Sequence, residues 1–327
     1  MSSKWIYKNL KNPEFQTLAE QFNVHPAIIK ILADRGIQGE EAVREYLEAD
    51  ISRVSDGSEL TDMQRGVDIV YDAVQAGKYI RIMGDYDVDG VSSTYILYKG
   101  LTGLGAKCDK FIPHRITDGY GLHEPAIRDA YDAGVQVILT CDNGIAAANE
   151  IKLAKELGMT VVVTDHHEVP YEIRHTCCSD EDVKSEEEQH EVPYETPTEP
   201  GDNEGARHYI IPDADAVIDP KRPEDDGVFK EICGAVVAWK FMWCLYRKFG
   251  KIDEFNNSDF LEIASLGTVC DVMELQHDNR AIVKEGLKKM QNTSNIGLQA
   301  LLEVLGLRDK ALTSYDYGFK IGPCINA

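Results

Sequence analysis

Tyr79-Ile80-Arg81-Ile82-Met83-Gly84-Asp85-Tyr86-Asp87-Val88-Asp89-Gly90 decides how this chain is read. The first five residues are a mostly apolar run of strand length, and Gly84 and Gly90 bracket Asp85, Asp87 and Asp89. From Val91 to Leu101 the pattern becomes helical. A strand, a tight glycine turn and a helix together make half of a parallel crossover unit. In open parallel sheets, sites form beyond the carboxyl ends of the strands. A turn loaded with carboxylates at that place points to chemistry.

The alternation continues downstream. Strands are expected at Ala106–Ile112, Val135–Thr140, Thr160–Thr164 and Ala216–Ile218. Helices are expected at Glu124–Ala133 and Ala146–Leu157, stopped by Gly134 and Gly158. Upstream, the first fifty or so residues look helical, with Pro26 opening one run and Glu40–Leu47 forming another; Met63–Val74 is a further helix. Downstream, Gly234–Phe249, Ser258–Leu266, Asn279–Met290 and Ile296–Leu305 read as helices. The expected fold class is therefore α/β, a mainly parallel sheet flanked by helices. It has an N-terminal helical segment (1–55), a main domain (56–327) and a mainly helical C-terminal part (233–327).

Each further strand end carries candidate ligands. Asp142 follows Thr140 in Cys141-Asp142-Asn143-Gly144, Asp165-His166-His167 follow Thr164, and Asp219 follows Ile218. Any one of these has a plain alternative: an aspartate after a strand caps the next helix, and tandem histidines can be structural. Together they read differently, because adjacent unpaired carboxylates repel one another unless a cation holds them. Oxygen ligands with an imidazole suit Mn²⁺ or Mg²⁺ better than zinc.

The formal charge of −22 argues against a surface coated for nucleic acid, but much of it is local. Between Glu172 and Arg207 twelve acids face three bases, with several prolines and few large apolar residues. Segment 172–208 is thus expected to be a mobile acidic insertion. Its default role is a solvated loop, with an interaction tail or a DNA mimic as alternatives. The N-terminus lacks a signal-peptide core, and no apolar stretch has the length of a membrane span. Eight scattered cysteines include no Cys-x-x-Cys pair; Cys108, Cys141, Cys233, Cys244 and Cys270 are expected as buried thiols, and Cys177-Cys178 has no assigned role. A cytoplasmic location without membrane contact is the simplest expectation.

Gly84–Gly90, Asp142-Asn143-Gly144-Ile145, Asp165-His166-His167 and Asp219-Pro220 resemble the DHH phosphoesterase superfamily, and within it the RecJ-type single-strand DNA exonucleases. Further similarity lies in Pro113-His114-Arg115, Gly119-Tyr120-Gly121-Leu122, Cys233-Gly234, Gly267-Thr268-Val269-Cys270-Asp271-Val272, Asn279-Arg280, Gly286-Leu287 and Gly322-Pro323-Cys324-Ile325-Asn326-Ala327. It covers nearly the whole chain apart from the acidic insertion.

The resemblance implies a 5′-to-3′ exonuclease on single-stranded DNA in repair and recombination, using up to two Mn²⁺ or Mg²⁺ ions. Asp87 would bind the first ion and Asp89 the second, Asp142 would bridge them, and His166 and Asp219 would complete the second site. His167 would lie at the scissile phosphate and Arg115 would contact a substrate phosphate. With Asp142 and His166, His167 makes up the implied catalytic group. Asp85 and Asp165 would act one layer out, orienting the loop and a histidine. Asp271 would cap a helix or support the site. Tyr120 is read as core in preference to a substrate contact. A single-strand-binding protein and a helicase are the candidate partners besides DNA.

Two departures stand out: Met83 occupies a position where some superfamily members carry a histidine, and Cys324 one where RecJ proteins often have arginine. The chain stops inside a family motif, so it is expected to be the N-terminal catalytic portion of a longer protein. The competing readings are a DHH hydrolase of pyrophosphate, short oligonucleotides or cyclic dinucleotides, and a degenerate scaffold that has lost its metal ligands.

Overall fold

A computed structural model describes residues 13–119, 121–174, 206–225 and 227–326. At its centre the strands β1 (Tyr79–Met83), β2 (Lys107–Phe111), β3 (Val137–Thr140) and β4 (Thr160–Thr164) are all parallel. A two-stranded antiparallel ribbon, β5 (Tyr171–Arg174) and β6 (Ala206–Tyr209), comes next, and then β7 (Ala216–Ile218), which joins the sheet parallel to β4. The order is β2-β1-β3-β4-β7. The chain moves outward from β1 to β2, then returns to β3 on the other side of β1. The β1/β3 boundary is thus the switch point at which such sheets open a crevice.

Helices cover both faces, which is why the central strands read as apolar on successive residues. Ile80, Ile82, Val137, Leu139, Val162, Ala216 and Ile218 share one core with α4 (Met63–Gln75), α5 (Val88–Gly103) and residues from 233 onward. Met83, Ile138, Val161, Val163 and Val217 point the other way, against α6 (Glu124–Asp132) and α7 (Ala148–Glu156). The preceding helices α1 (Pro13–Gln21), α2 (Pro26–Asp34) and α3 (Glu40–Glu48) enclose a small separate cluster around Leu18, Ile29, Leu32 and Val43. After the sheet come α8 (Gly234–Lys248), α9 (Ile252–Asn256), α10 (Phe260–Cys270), α11 (His277–Gln291) and α12 (Ile296–Val304). Short helical turns then run from Ser314 to Ile325.

Three differences from the sequence expectation have local causes. Helix α5 starts at Val88, three residues early, because Asp87 caps it: its Oδ1 accepts from Gly90 N at 2.9 Å. Asp89 therefore sits in the first turn of a helix. Residues 171–174 and 206–209 pair as a ribbon, so the ends of the acidic stretch are β-structure; its middle and Cys177-Cys178 lie outside the described residues, as does Tyr120. Cys108 and Cys270 are only half-buried, whereas Cys141, Cys233 and Cys244 are buried free thiols. Among the described residues no helix is long and apolar enough to cross a membrane.

Candidate metal centre

The strand ends converge. Backbone pairing continues past the strands, with Cys141 N donating to Met83 O, Asp142 N to Thr164 O and Asp165 N to Ile218 O, each at 3.0–3.1 Å. Asn143 Nδ2 ties the switch point shut by donating to Met83 O (3.1 Å) and Cys141 O (2.9 Å). Asp142 adopts a left-handed φ of 60°, a conformation that aspartate tolerates better than most residues.

Among the described residues, two groups of three side chains come close enough to share an ion without having a member in common: Asp85, Asp87 and Asp142, and Asp89, His166 and Asp271. A third group, Asp142, His166 and His167, overlaps both. The groups meet where Asp142 Oδ1 lies 3.0 Å from His166 Nε2. That same nitrogen is 3.6 Å from Asp89 Oδ2 and 3.7 Å from Asp271 Oδ2. One imidazole nitrogen thus faces three carboxylates.

Burial makes this arrangement costly without a cation. Both oxygens of the fully buried Asp85 carboxylate lack a hydrogen-bond partner among the described residues. Burial, reinforced by Asp87, raises its pKa. The N–H groups of Tyr86, Asp87 and Gly121 offset part of that rise by their proximity, without reaching full hydrogen-bond geometry. Asp142 is driven well above the carboxylate range by burial and then by Asp89 and Asp87. Burial and the same two neighbours push Asp271 up to about 7. His166 is held below its usual value by burial, so its neutral, ligating form is favoured. Orphaned buried oxygens and a neutral imidazole fit a hard divalent cation.

The walls are shaped for Asp89. Its Oδ2 accepts from Gly234 N at 2.6 Å and its Oδ1 from Ala235 N at 3.0 Å, so the carboxylate sits on the N-terminus of α8. A Cβ on Gly234 would lie 2.9 Å from Asp89 Oδ2 and 2.8 Å from Asp142 Cβ, and one on Gly267 would lie 2.6 Å from Asp89 Oδ1. Glycine at both positions lets α8 and α10 close on the carboxylates.

Asp165 is saturated by its own turn. It accepts from Ile145 N (2.9 Å), His166 N (2.8 Å) and His167 Nδ1 (2.7 Å). Burial opposes its ionisation, but the His167 bond and charge keep its pKa below the usual value. His167 is consequently fixed through Nδ1, half-exposed and raised in pKa by Asp165 against the effect of burial. Arg115 lies over the Tyr86 ring, 4.6 Å from its centroid, and donates to Asn326.

The geometry groups the expected ligands differently in two places. Asp219 joins none of the three groups. Its Oδ1 accepts from Lys221 N at 2.8 Å, its buried Oδ2 has no hydrogen-bond partner among the described residues, and burial followed by Asp165 holds its carboxyl up at about 8. Asp271, at the carboxyl end of α10, is the carboxylate that groups with Asp89 and His166. The signal was present, since a carboxylate at a helix C-terminus opposes the macrodipole and needs another reason to be there. Asp85, expected to orient the loop by hydrogen bonding, makes no bond of full geometry and stands with Asp87 and Asp142. Met83 packs in the apolar core and offers no ligand.

Known proteins resemble both the sequence and the fold. Residues 79–189 match the DHH family, N-terminal domain. The single-stranded-DNA-specific exonuclease RecJ of Bacillus subtilis (strain 168) is 31% identical over 324 residues, covering 99% of this chain and 36% of that protein. RecJ of Thermus thermophilus is 32% identical over 268 residues, covering 82% of this chain and 33% of that protein. The crystal structure of exonuclease RecJ bound to manganese superposes with a TM-score of 0.62 at 30% identity, covering 82% of this chain and 57% of that one. The T. thermophilus RecJ complex with Mn²⁺ superposes at 0.68 and 26% identity, covering 94% and 38%. The chain spans about a third of the length of these two curated relatives. Residues 79–189 thus carry a DHH family N-terminal domain, and over nearly its whole length the chain is similar to RecJ-type exonucleases.

Proposed function

We propose that this chain carries the phosphodiester-hydrolysing centre of a RecJ-type exonuclease. In this reading it acts on single-stranded DNA from the 5′ end, releases 5′-mononucleotides and serves repair and recombination in the cytoplasm. Residues 56–327 form the catalytic domain and 1–55 a helical appendage. A single-strand-binding protein and a helicase are the expected partners.

One observation carries the reading: two oxygen-rich groups of cation size share a boundary at Asp142 and His166. Asp85, Asp87 and Asp142 would hold one Mn²⁺ or Mg²⁺, and Asp89, His166 and Asp271 the other. Bound there, divalent ions supply charge neutralisation at phosphorus and activation of water. The remaining work falls to side chains. Asp165 fixes the ring of His167 through Nδ1, and Nε2 is the atom that would give a proton to the leaving oxygen. Arg115, braced by Tyr86 and Asn326, presents a planar fork to a neighbouring phosphate. The α8 N-terminus orients Asp89 through two N–H groups.

The test is Mn²⁺-dependent digestion of a 5′-phosphorylated single-stranded oligonucleotide by the chain and by Asp142→Ala. Mononucleotides released from the 5′ end, and lost in the variant, are the expected result. Hydrolysis confined to pyrophosphate or dinucleotides would sink the reading in favour of a small-substrate DHH hydrolase.

A further inference from the structure

We propose that Lys221 is a phosphate-binding residue of this centre, held beside the His166–His167 turn by Glu168 until substrate phosphate takes that carboxylate's place; this rests on the phosphodiesterase reading above. Strand β7 ends at Ile218, and the turn Asp219-Pro220-Lys221 is closed by Lys221 N donating to Asp219 Oδ1 at 2.8 Å. That closure fixes the root of the Lys221 side chain at the strand end. Its Nζ reaches Glu168 Oε1 at 2.9 Å, and Glu168 directly follows His167. The ammonium therefore stands over the edge of the centre, near enough for its charge to act on His166, Asp219 and Asp271. Glu231 and Asp219 act on it besides Glu168.

The sheet order gives this position a meaning. Arg115 stacks on Tyr86 beyond the end of β1, and Lys221 follows β7, while β3 and β4, with Asp142 and His166 at their ends, lie between. A cation flanks the carboxylate floor on each side, so a polyanion laid across the strand ends would meet Arg115 first and Lys221 last. The hold on Lys221 is also a loose one. The Lys221 side chain is 18% exposed, whereas Glu168 is 85% exposed. A carboxylate so open to water binds an ammonium weakly, and a phosphate oxygen held over a bound cation competes with it well.

The bland alternative is that Lys221 only neutralises Asp219 and ties the histidine turn to β7. The two roles differ in the sign of one variant. Removing the Glu168 charge releases Lys221 for phosphate in the first case and breaks the tie in the second.

The experiment uses the full chain with Mn²⁺ and a fluorescein-labelled, phosphorothioate-linked single strand that resists hydrolysis. Binding is followed by anisotropy, and kcat and KM are measured on the ordinary strand. Lys221→Ala should weaken strand binding and raise KM about tenfold or more. Lys221→Arg should restore much of the loss, Glu168→Gln should tighten binding, and Mn²⁺ affinity should not fall in any of them. Unchanged binding in Lys221→Ala, or weakening in Glu168→Gln as well, would overturn the proposal. Strand binding that follows the expected pattern without any hydrolysis would overturn the phosphodiesterase reading and leave Lys221 standing. A wild-type chain that does not bind the strand overturns both.

Discussion

Helix α3 and the strand-end floor are both acidic, and they handle charge in opposite ways. On α3, Glu40 and Glu48 flank Arg44 at 2.8 and 3.2 Å, one helical turn to either side, with all three side chains open to water. At the strand ends, Asp85, Asp89 and Asp142 are buried with like charges for neighbours. The first arrangement is solvated, so water screens the acid that Arg44 does not balance. The second is costly to ionise, because like charges are buried together, and a cation would lower that cost. Acidity by itself therefore says little; acidity that is buried and unneutralised marks the site.

The largest effect expected from breaking this contrast is at Asp271. Asp271→Asn should lower Mn²⁺ affinity, measured by calorimetry, by about 10- to 100-fold, while Asp219→Asn should leave it nearly unchanged. Equal losses would return Asp219 to the ligand set. Gly267→Ala comes next. Alanine is worth roughly 1 kcal/mol in helix propensity, but its Cβ would press on Asp89 and Ala235. Overpacking of about 1–3 kcal/mol should win, lowering both Tm and Mn²⁺ affinity. A raised Tm with unchanged affinity would show that the wall has slack.

A third, smaller effect is in the pH dependence of the metal-free protein. Asp219 and Asp271 are raised to about 8 and about 7, mainly by burial, whereas an unfolded aspartate titrates near about 4. The folded state therefore binds more protons across that window, and stability falls as pH rises through it. With chelator present, Tm should be higher at about pH 5.5 than at about pH 8, and Mn²⁺ should close most of the gap. A Tm that rises with pH would contradict these shifts. The smallest effect belongs to α3, where Arg44→Ala should move neither Mn²⁺ affinity nor strand binding. The part of any Tm shift that comes from the exposed Glu40 and Glu48 pairs should vanish in high salt, leaving only the loss of the Arg44 contact with Phe22.

Much of this architecture was legible in the residues. Periodicity fixed β1 and β4 to the residue, and the motifs at 84–90, 142–145 and 165–167 named most of the groups that converge. The early start of α5 was missed because the helical pattern is apolar only from Val91. The cap at Asp87 belongs to the turn, and a carboxylate read as a ligand was not also read as a cap. The β5–β6 ribbon was missed because its two strands are separated by more than thirty residues of acid-rich sequence.

The sequence by itself determined the parallel sheet, the strand-end placement of the carboxylates and the family. These follow from periods of two and 3.6 residues and from contiguous motifs, all of them local. Only the tertiary structure decided that Asp271 stands with His166 and Asp89, that Asp219 accepts from Lys221 N, and that Gly234 and Gly267 frame Asp89. The first and last of these depend on how α8 and α10 pack across α5 at separations of more than a hundred residues, whereas the Asp219–Lys221 bond is a local turn. Which carboxylate oxygen reaches which imidazole nitrogen is settled by that packing, because no local pattern encodes the distance between elements far apart in the chain.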